Sequence, residues 1–275
     1  MARGEGAVAR AVSAVLPPPP GFTNFTRVVE ISTLVVTMIW VFGYLGGVGF
    51  APVVKGENTN DPGVIFNWHP LFMAMAFPIC MAEAVLAYRA PLATSSDKPQ
   101  RKVLHIALQS SALVFIILGL ITTIKSHTLK RPTPIPNFYS PHSWMGLFTT
   151  SLAVLQYVFG FYAFAFPKMS QSDRAAAAPI HAFLGQAVLV LGLATMTTGI
   201  QEKTTLVQTL MKPAGGMRSA YFTLPALLEL LIMLTGILVL FHHKSVSKGK
   251  GNQDAQQSFL EEGAQGSHDI GTPTQ

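Results

Sequence analysis

The sequence VLHIALQSSALVFIILGLITTI, residues 103–124, contains no charged side chain. An α-helix rises about 1.5 Å per residue, so roughly 20 apolar residues cross the ~30 Å hydrocarbon core of a bilayer. The stretch therefore predicts a transmembrane helix. It also carries a histidine, His105, close to its start.

Five further stretches of the chain are long and apolar enough to span a membrane. They lie at about 28–50, 66–88, 143–166, 180–200 and 221–241. Charged residues make up only 12% of the 275 residues, about half the fraction usual in soluble domains, and the mean hydropathy is +0.40. The sequence thus predicts an all-α protein, a six-helix transmembrane bundle surrounded by membrane lipid.

The net charge of +6 does not indicate nucleic-acid binding here, because the cytoplasmic loops of membrane proteins collect Lys and Arg. If both chain ends lie on one side, that side carries twelve of the 19 Lys and Arg residues, which predicts cytoplasmic termini. We expect residues 1–27 to form a cytoplasmic segment without a cleaved signal peptide, and 28–242 to form the six-helix domain. Residues 243–275 are polar and are expected to be a disordered cytoplasmic tail. The sequence leaves the organelle open.

The chain has one cysteine, Cys80, inside the second predicted span. It cannot form an internal disulfide, and the sequence contains no CxxCH motif for covalent attachment of haem. Any haem would therefore be held by ligation and packing.

Four of the eight histidines recur at a regular spacing near the predicted starts of spans two to five. They are His69, His105, His142 and His181, separated by 36, 37 and 39 residues. Because successive spans run in opposite directions, His69 and His142 fall near the outer face, and His105 and His181 near the cytoplasmic face. Topology alone therefore predicts two bis-histidine sites, on the order of 20 Å apart along the helices.

Paired histidines suit haem iron, because the porphyrin occupies the other four coordination positions. Zinc fits less well, since these histidines lack the carboxylate or thiolate companions that complete a tetrahedral site. A single histidine at a helix end is often only an interfacial polar residue. Four on consecutive membrane helices indicate a function.

Prolines and glycines accompany the histidines. Prolines stand at or near the start of three helices: Pro70, Pro141 and Pro179. Because a first helical turn tolerates proline, they predict that these helices start at the histidines. Glycines follow three histidines by about four or five whole turns: Gly119, Gly160 and Gly199. We expect each glycine to lie near the depth of the other haem and to relieve crowding against a flat macrocycle.

Several short motifs point to a known family. They are FNWHP at 66–70, EAVLAYR at 83–89, KVLH at 102–105, NFYSPHSW at 137–144, Arg174 seven residues before His181, and TGIQEK at 198–203. Over about residues 28–242 the chain resembles the cytochrome b-561 family. The resemblance implies a homodimer with two haems b, ligated by the four histidines, that acts as an oxidoreductase. Electrons would pass across the membrane from cytosolic ascorbate to monodehydroascorbate or, in a ferric reductase, to a ferric chelate.

Ascorbate is an anion and needs cationic hydrogen-bond donors near a haem edge. Four cations lie just before the cytoplasmic histidines: Lys98, Arg101, Lys102 and Arg174. By resemblance, Lys102 and Arg174 are the better candidates for binding ascorbate. The positive-inside rule alone would also place such charges here, and Arg89 lies nearby. Glu83 either pairs with one of the basic residues or only neutralises their excess charge.

On the outer face, four residues are candidates for the acceptor site: Lys125, His127, Asn137 and Tyr139. His127 resembles a family position near the outer ascorbate or metal site, although a solvated loop histidine fits the composition equally well. The chain departs from the family at Pro141, where leucine is usual. The loop from Lys125 to Tyr139 is also longer than in typical members, which bears on the choice of acceptor.

Two other functions stay open from the sequence. A di-haem membrane anchor of a quinol-linked complex would need a soluble partner subunit. A proton or metal transporter with a histidine relay predicts carboxylates close to the histidines, whereas Glu83 is 14 residues from His69. Haem and metal analysis of the purified protein separates the three functions.

Overall fold

A computed structural model of the chain describes residues 21–88, 90, 97–210 and 219–242. These residues form six helices that are long and apolar enough to cross a membrane. We number them α1 (Phe22–Tyr44), α2 (Gly63–Leu86), α3 (Lys98–Thr128), α4 (Pro141–Phe164), α5 (Gln171–Leu210) and α6 (Ala220–His242). The predicted six-helix bundle is confirmed. The predicted tail at 243–275 and most of the predicted N-terminal segment lie outside the described residues.

Helix α1 begins and ends about six residues earlier than predicted. It ends at Tyr44 because Gly46 and Gly47 follow with φ of 83° and 74°, the left-handed region that glycine adopts without steric cost. The apolar residues up to 50, which the sequence assigned to the span, instead form the start of a loop.

Helices α3 and α5 begin well before their apolar stretches, because polar residues cap them. Asp97 Oδ1 accepts from Gln100 N at 2.8 Å and the Gln100 side chain accepts from Asp97 N at 3.1 Å, a capping box. At α5, Ser170 Oγ accepts from Asp173 N at 3.2 Å. His105 and His181 therefore lie about two and almost three turns inside their helices, and the prediction that they occupy first turns is wrong.

Two of the prolines that were expected to mark helix starts have different outcomes. Pro141 is at the first position of α4, behind the cap made by Ser140, as predicted. Pro179 lies inside α5, so the prediction that it marks a helix start is wrong. Helix α2 contains a π-helical turn at Met75–Met81 that includes Pro78. This wider turn lies beside Gly192 of α5, where a Cβ atom would overlap the ring of Phe77.

The helix ends meet in a consistent antiparallel order. On one side, Thr23 Oγ1 at the start of α1 lies 3.1 Å from His242 Nε2 at the end of α6. On the same side, Lys102 Nζ at the start of α3 donates to Phe164 O at the end of α4. We call this the terminal side, and the other the opposite side. The described core packs mainly between α1, α2, α3, α5 and α6.

The opposite side carries a β-hairpin that the sequence analysis did not predict. Strands β1 (Val53–Gly56) and β2 (Thr59–Asp61) pair antiparallel between α1 and α2. Asn60 joins the hairpin to the loop after α3. Its side-chain amide donates to Leu129 O at 2.8 Å, and its backbone carbonyl accepts from Lys130 Nζ at 2.6 Å.

Asn67 fixes the loop between α1 and α2 and offers a test of the fold. Its buried side chain donates to Leu45 O at 2.9 Å and to Gly47 O at 2.7 Å. Asn67→Ala would leave two carbonyls without these donors, at a cost of about 1–3 kcal/mol. We expect a lower melting temperature in detergent than for Asn24→Ala, which removes an exposed side chain of α1. Equal melting temperatures would contradict the assigned role.

Candidate functional site

The four spaced histidines meet as two pairs. The rings of His69 on α2 and His142 on α4 have centroids 6.1 Å apart near the opposite side. The rings of His105 on α3 and His181 on α5 have centroids 6.2 Å apart near the terminal side. These are the pairs that the alternating helix directions predict.

The spacing of each pair matches one shared metal ion. With ring bonds of about 1.33 Å, each nitrogen lies on the order of 1.1 Å from its ring centroid, so two nitrogens facing each other would be about 4 Å apart. A coordinated imidazole nitrogen lies about 2.0–2.1 Å from a first-row metal ion. Two rings at these centroid distances would admit an ion between them with their free nitrogens facing each other, which is the arrangement that bis-histidine haem ligation requires.

Backbone carbonyls hold three of the four rings through Nδ1. His69 Nδ1 lies 3.1 Å from Gly119 O, His105 Nδ1 2.7 Å from Ala84 O, and His142 Nδ1 3.0 Å from Thr195 O. A carbonyl only accepts, so each ring carries its proton on Nδ1 and leaves the Nε2 lone pair for a metal. The hydrogen-bond partners of the four rings among the described residues are carbonyls, a hydroxyl and an amide rather than carboxylates, which disfavours a histidine–carboxylate relay.

His181 is held differently, by the side chain of Gln156 on α4. Gln156 Nε2 lies 2.9 Å from His181 Nδ1 and 2.5 Å from His181 O. Gln156 Oε1 is buried and has no hydrogen-bond partner among the described residues. Rotation of the amide would present Oε1 to the ring, so a metal-bound His181 has an acceptor for its Nδ1 proton at hand.

These bonds connect the helices in a reciprocal pattern. Helices α2 and α3 form one hairpin, in which each histidine bonds the neighbouring helix, and α4 and α5 form a second hairpin of the same kind. Each ring then faces its partner in the other hairpin. Both candidate sites therefore lie between the two hairpins.

The three glycines lie against histidine rings of the other pair. A Cβ atom on Gly160 would lie 2.5 Å from His181 Cε1, and one on Gly199 would lie 2.6 Å from His142 Cε1. Gly119 is beside His69. The glycines lie at the predicted depth, and the protein group that each one contacts there is an imidazole ring. Glycine is needed because helix and ring approach closely.

On the terminal side, two of the four predicted ascorbate-binding cations are tied to backbone carbonyls. Lys102 Nζ donates to Phe164 O at 2.6 Å, and the Phe164 ring lies 5.2 Å from the ring of His181. Arg174 Nη1 donates to Met169 O at 2.7 Å. Lys98 is exposed at the first position of α3, and Arg101 is half-buried.

On the opposite side, three of the four predicted acceptor residues come together. His127 is buried and its Nδ1 lies 3.0 Å from Asn137 Oδ1. The Tyr139 ring lies 5.9 Å from that of His127. Lys125 is exposed on α3, two residues before His127.

Glu202, which was not among the predicted residues, joins this group. Tyr139 Oη donates to Glu202 Oε1 at 2.7 Å. Burial and this hydrogen bond raise the pKa of Tyr139 to about 12, so its hydroxyl stays protonated at neutral pH. Glu202 stands inside the TGIQEK motif, 21 residues after His181. Because His181 lies near the terminal side, this spacing along α5 would have placed Glu202 near the opposite side.

Comparison with known proteins gives consistent matches. The family model described as eukaryotic cytochrome b561 matches residues 68–207, which include all four paired histidines. The chain is 35% identical over 190 residues to transmembrane ascorbate ferrireductase 2 of Arabidopsis thaliana, covering 68% of this chain and 77% of that protein. It is 34% identical over 187 residues to probable ascorbate-specific transmembrane electron transporter 1 of Oryza sativa subsp. japonica, covering 68% and 75%. A plasma membrane ascorbate-dependent reductase of Xenopus laevis is 33% identical over 181 residues, covering 66% and 59%.

The glycine contacts predict a selective loss of cofactor. In Gly160→Ala the added methyl group would displace the His181 ring, so we expect the terminal-side pair to lose its haem. Gly146→Ala is the matched control on α4, because its Cβ would lie 3.7 Å from Thr195 Cγ2, an ordinary contact. Haem absorbance per mole of purified protein measures the loss. Full absorbance in Gly160→Ala would show that the ring is not confined as described.

Proposed function

We propose that this chain, a member of the eukaryotic cytochrome b561 family, passes electrons through two haems b. Its membership of the family makes it a multi-pass membrane oxidoreductase that carries haem b and transfers electrons from ascorbate across the membrane. His69 and His142 would ligate one haem, and His105 and His181 the other. The observation that carries this proposal is the pair of ring spacings, 6.1 and 6.2 Å, each suited to one ion. When bound, each haem supplies a one-electron iron couple.

The protein's own contribution is to hold the ligands in place. Backbone carbonyls and Gln156 fix the rings, and the glycines allow the helices to approach them. Buried apolar side chains of α2 and α5, among them Phe77 and Leu189, fill the space between the two depths and exclude water. Water exclusion keeps the electron inside the bundle and away from side reactions.

We propose that the terminal side is cytoplasmic, since twelve of the 19 Lys and Arg residues are assigned to it. Ascorbate would then dock beside His181, where Lys102 is held against the end of α4. Arg174 lies on the same side and provides a second cation. Lys98 and Arg101 precede Lys102 on the first turns of α3 and would attract the anion by their charge.

The acceptor would dock on the opposite side at His127, Asn137 and Tyr139, with Glu202 behind the tyrosine. The Asn137 amide would be a hydrogen-bond donor for monodehydroascorbate or for the ligands of a ferric chelate, while Tyr139 donates its proton to Glu202. Exposed Lys125 adds positive charge, which favours an anionic acceptor. His127 would supply the proton that accompanies reduction of monodehydroascorbate.

Two further parts of the proposal rest on the family. The chain would form a homodimer within membrane lipid. The six helices from Phe22 to His242 would form one domain, with the segments before and after it on the cytoplasmic side.

Double substitutions test the pairing of the histidines. His105→Ala/His181→Ala should retain one haem, because both changes fall in one site. His69→Ala/His105→Ala should retain none, because each change destroys a different site. Haem content and reduced-minus-oxidised absorbance measure both outcomes. If the first variant loses both haems and the second keeps one, the pairing is wrong.

Lys102 is tested by reduction kinetics in the purified protein. Lys102→Gln removes a charge-assisted bond to ascorbate, which is worth about 1.5–3 kcal/mol, so the KM for ascorbate should rise by roughly tenfold or more. Lys98→Gln, on the same helix end, should change it far less. Haem content and reduction by dithionite should match the unchanged chain. A KM shift as large in Lys98→Gln would mean that only general positive charge matters.

A further inference from the structure

The TGIQEK motif at the opposite-side end of α5 contains one charged residue that the proposed function does not use, Lys203. Two other residues of the motif already have contacts near the site. Thr198 Oγ1 lies 3.4 Å from His142 Nδ1, and Glu202 Oε1 accepts from Tyr139. Lys203 directly follows Glu202, but its side chain contacts α2 instead. This cation therefore needs its own explanation.

The ammonium group of Lys203 lies against the ring of Phe66, at the start of α2. Its Nζ is 4.8 Å from the ring centroid, which is a cation–π contact. The centroid of the same Phe66 ring lies 5.7 Å from that of the His69 ring. Phe66 thus contacts both the ammonium group and a proposed haem ligand. Two ring contacts therefore link Lys203 to the opposite-side histidine pair.

The described residues compensate the charge of Lys203 only in part. Lys203 is half-buried and forms no ion pair or hydrogen bond among them. Asp61 attracts the ammonium group from beyond ion-pair distance, and its Oδ1 already accepts from Gly63 N at 2.9 Å. An ammonium group has three hydrogen-bond donors, and a partly buried charge is costly without a partner. The position therefore favours an anionic ligand.

Lys203 and the proposed acceptor residues lie around the same end of α5. Glu202 joins this end to Tyr139, in the loop before α4. Lys203 joins it to Phe66, at the start of α2. Helices α2 and α4 carry the two histidines of the opposite-side pair. An acceptor that approaches this pair would therefore meet Lys203 on one flank and Tyr139 on the other.

The proposed acceptors are anions, and reduction supplies each of them with an electron. Monodehydroascorbate takes one electron and one proton to become the ascorbate monoanion, whereas a ferric chelate takes one electron to become the ferrous chelate. An anionic chelate thus gains a further negative charge, which an ammonium group beside it stabilises. Lys125, the lysine already proposed for this side, is exposed on α3, where water and salt screen its charge. Lys203 is therefore the better placed cation.

We propose that Lys203 binds the anionic oxygen atoms of the acceptor and makes the opposite-side site selective for anionic acceptors. The inference rests on the proposed function and adds a specificity-determining residue to its acceptor site. The ammonium group donates hydrogen bonds to a carboxylate or enolate oxygen of the acceptor, while Phe66 holds the lysine side chain in place. The electron comes from the opposite-side site, and the lysine itself exchanges no electron and no proton.

Acceptors of opposite charge test the selectivity in the purified full-length protein, first reduced with ascorbate. Lys203→Gln should slow the reoxidation of haem by ferric EDTA, an anion, by roughly tenfold or more, because a charge-assisted hydrogen bond is lost. Reoxidation by hexaammineruthenium(III), a cation, should not slow. Lys203→Arg keeps the charge and should keep the preference for the anion. Lys55→Gln, which removes an exposed lysine of β1 on the same side, should change both rates far less.

The outcomes separate this proposal from the proposed function. Unchanged rates in Lys203→Gln, with full haem content, would overturn the acceptor role of Lys203 and leave the function standing. Equal slowing with both acceptors would also overturn it, because the lysine would then support the fold or pair with a haem propionate. Failure of ascorbate to reduce the unchanged chain would instead refute the proposed function.

Should Lys203→Gln fail to fold, lysine acetylation of the unchanged chain decides. Gallium(III) citrate, a redox-inert anionic chelate, should protect Lys203 from acetic anhydride and leave Lys55 reactive, as measured by mass spectrometry. Equal labelling of Lys203 with and without the chelate would refute the binding site. So would a Lys203 that is not labelled even in the free protein, because an anionic acceptor could not reach it either.

Discussion

The bonds from imidazole Nδ1 to the neighbouring helix are the interaction on which the rest of the structure depends. Each fixes one ring, and together they join α2 to α3 and α4 to α5 in both directions. In a bilayer, water cannot replace a lost partner, so these bonds also fix how far each helix extends past its neighbour. The glycines beside the rings follow from this requirement, because the helices must approach closely for the bonds to form.

Much of this could be predicted from the sequence, since it depends on local composition and on the direction of each span. Six apolar stretches gave six helices, and alternation gave the pairs His69–His142 and His105–His181. The helix starts were harder to predict: Asp97 and Ser170 cap helices that run beyond the bilayer, and an apolar search ignores such residues. The β-hairpin, Glu202 and Gln156 depend on contacts between distant segments, which periodicity does not report.

The opposite side shows how a long loop is kept in place without a disulfide. Asn60 binds the loop after α3 through its side chain and its backbone, and Ile135 N donates to His127 O at 3.1 Å. His127 is therefore a buried residue at the end of α3, next to a loop that these bonds hold in place, and it is not a solvated loop histidine. The longer loop, which the sequence marked as a departure from the family, is bound to a hairpin of this chain.

The reciprocal hairpins make the two halves of the bundle nearly equivalent, which has a consequence for directionality. Two sites with identical supports would pass charge equally well both ways. The described structure departs from equivalence at His181, which is supported by the side-chain amide of Gln156 instead of a backbone carbonyl. Any rectification of electron flow that depends on how the rings are supported would then arise at His181.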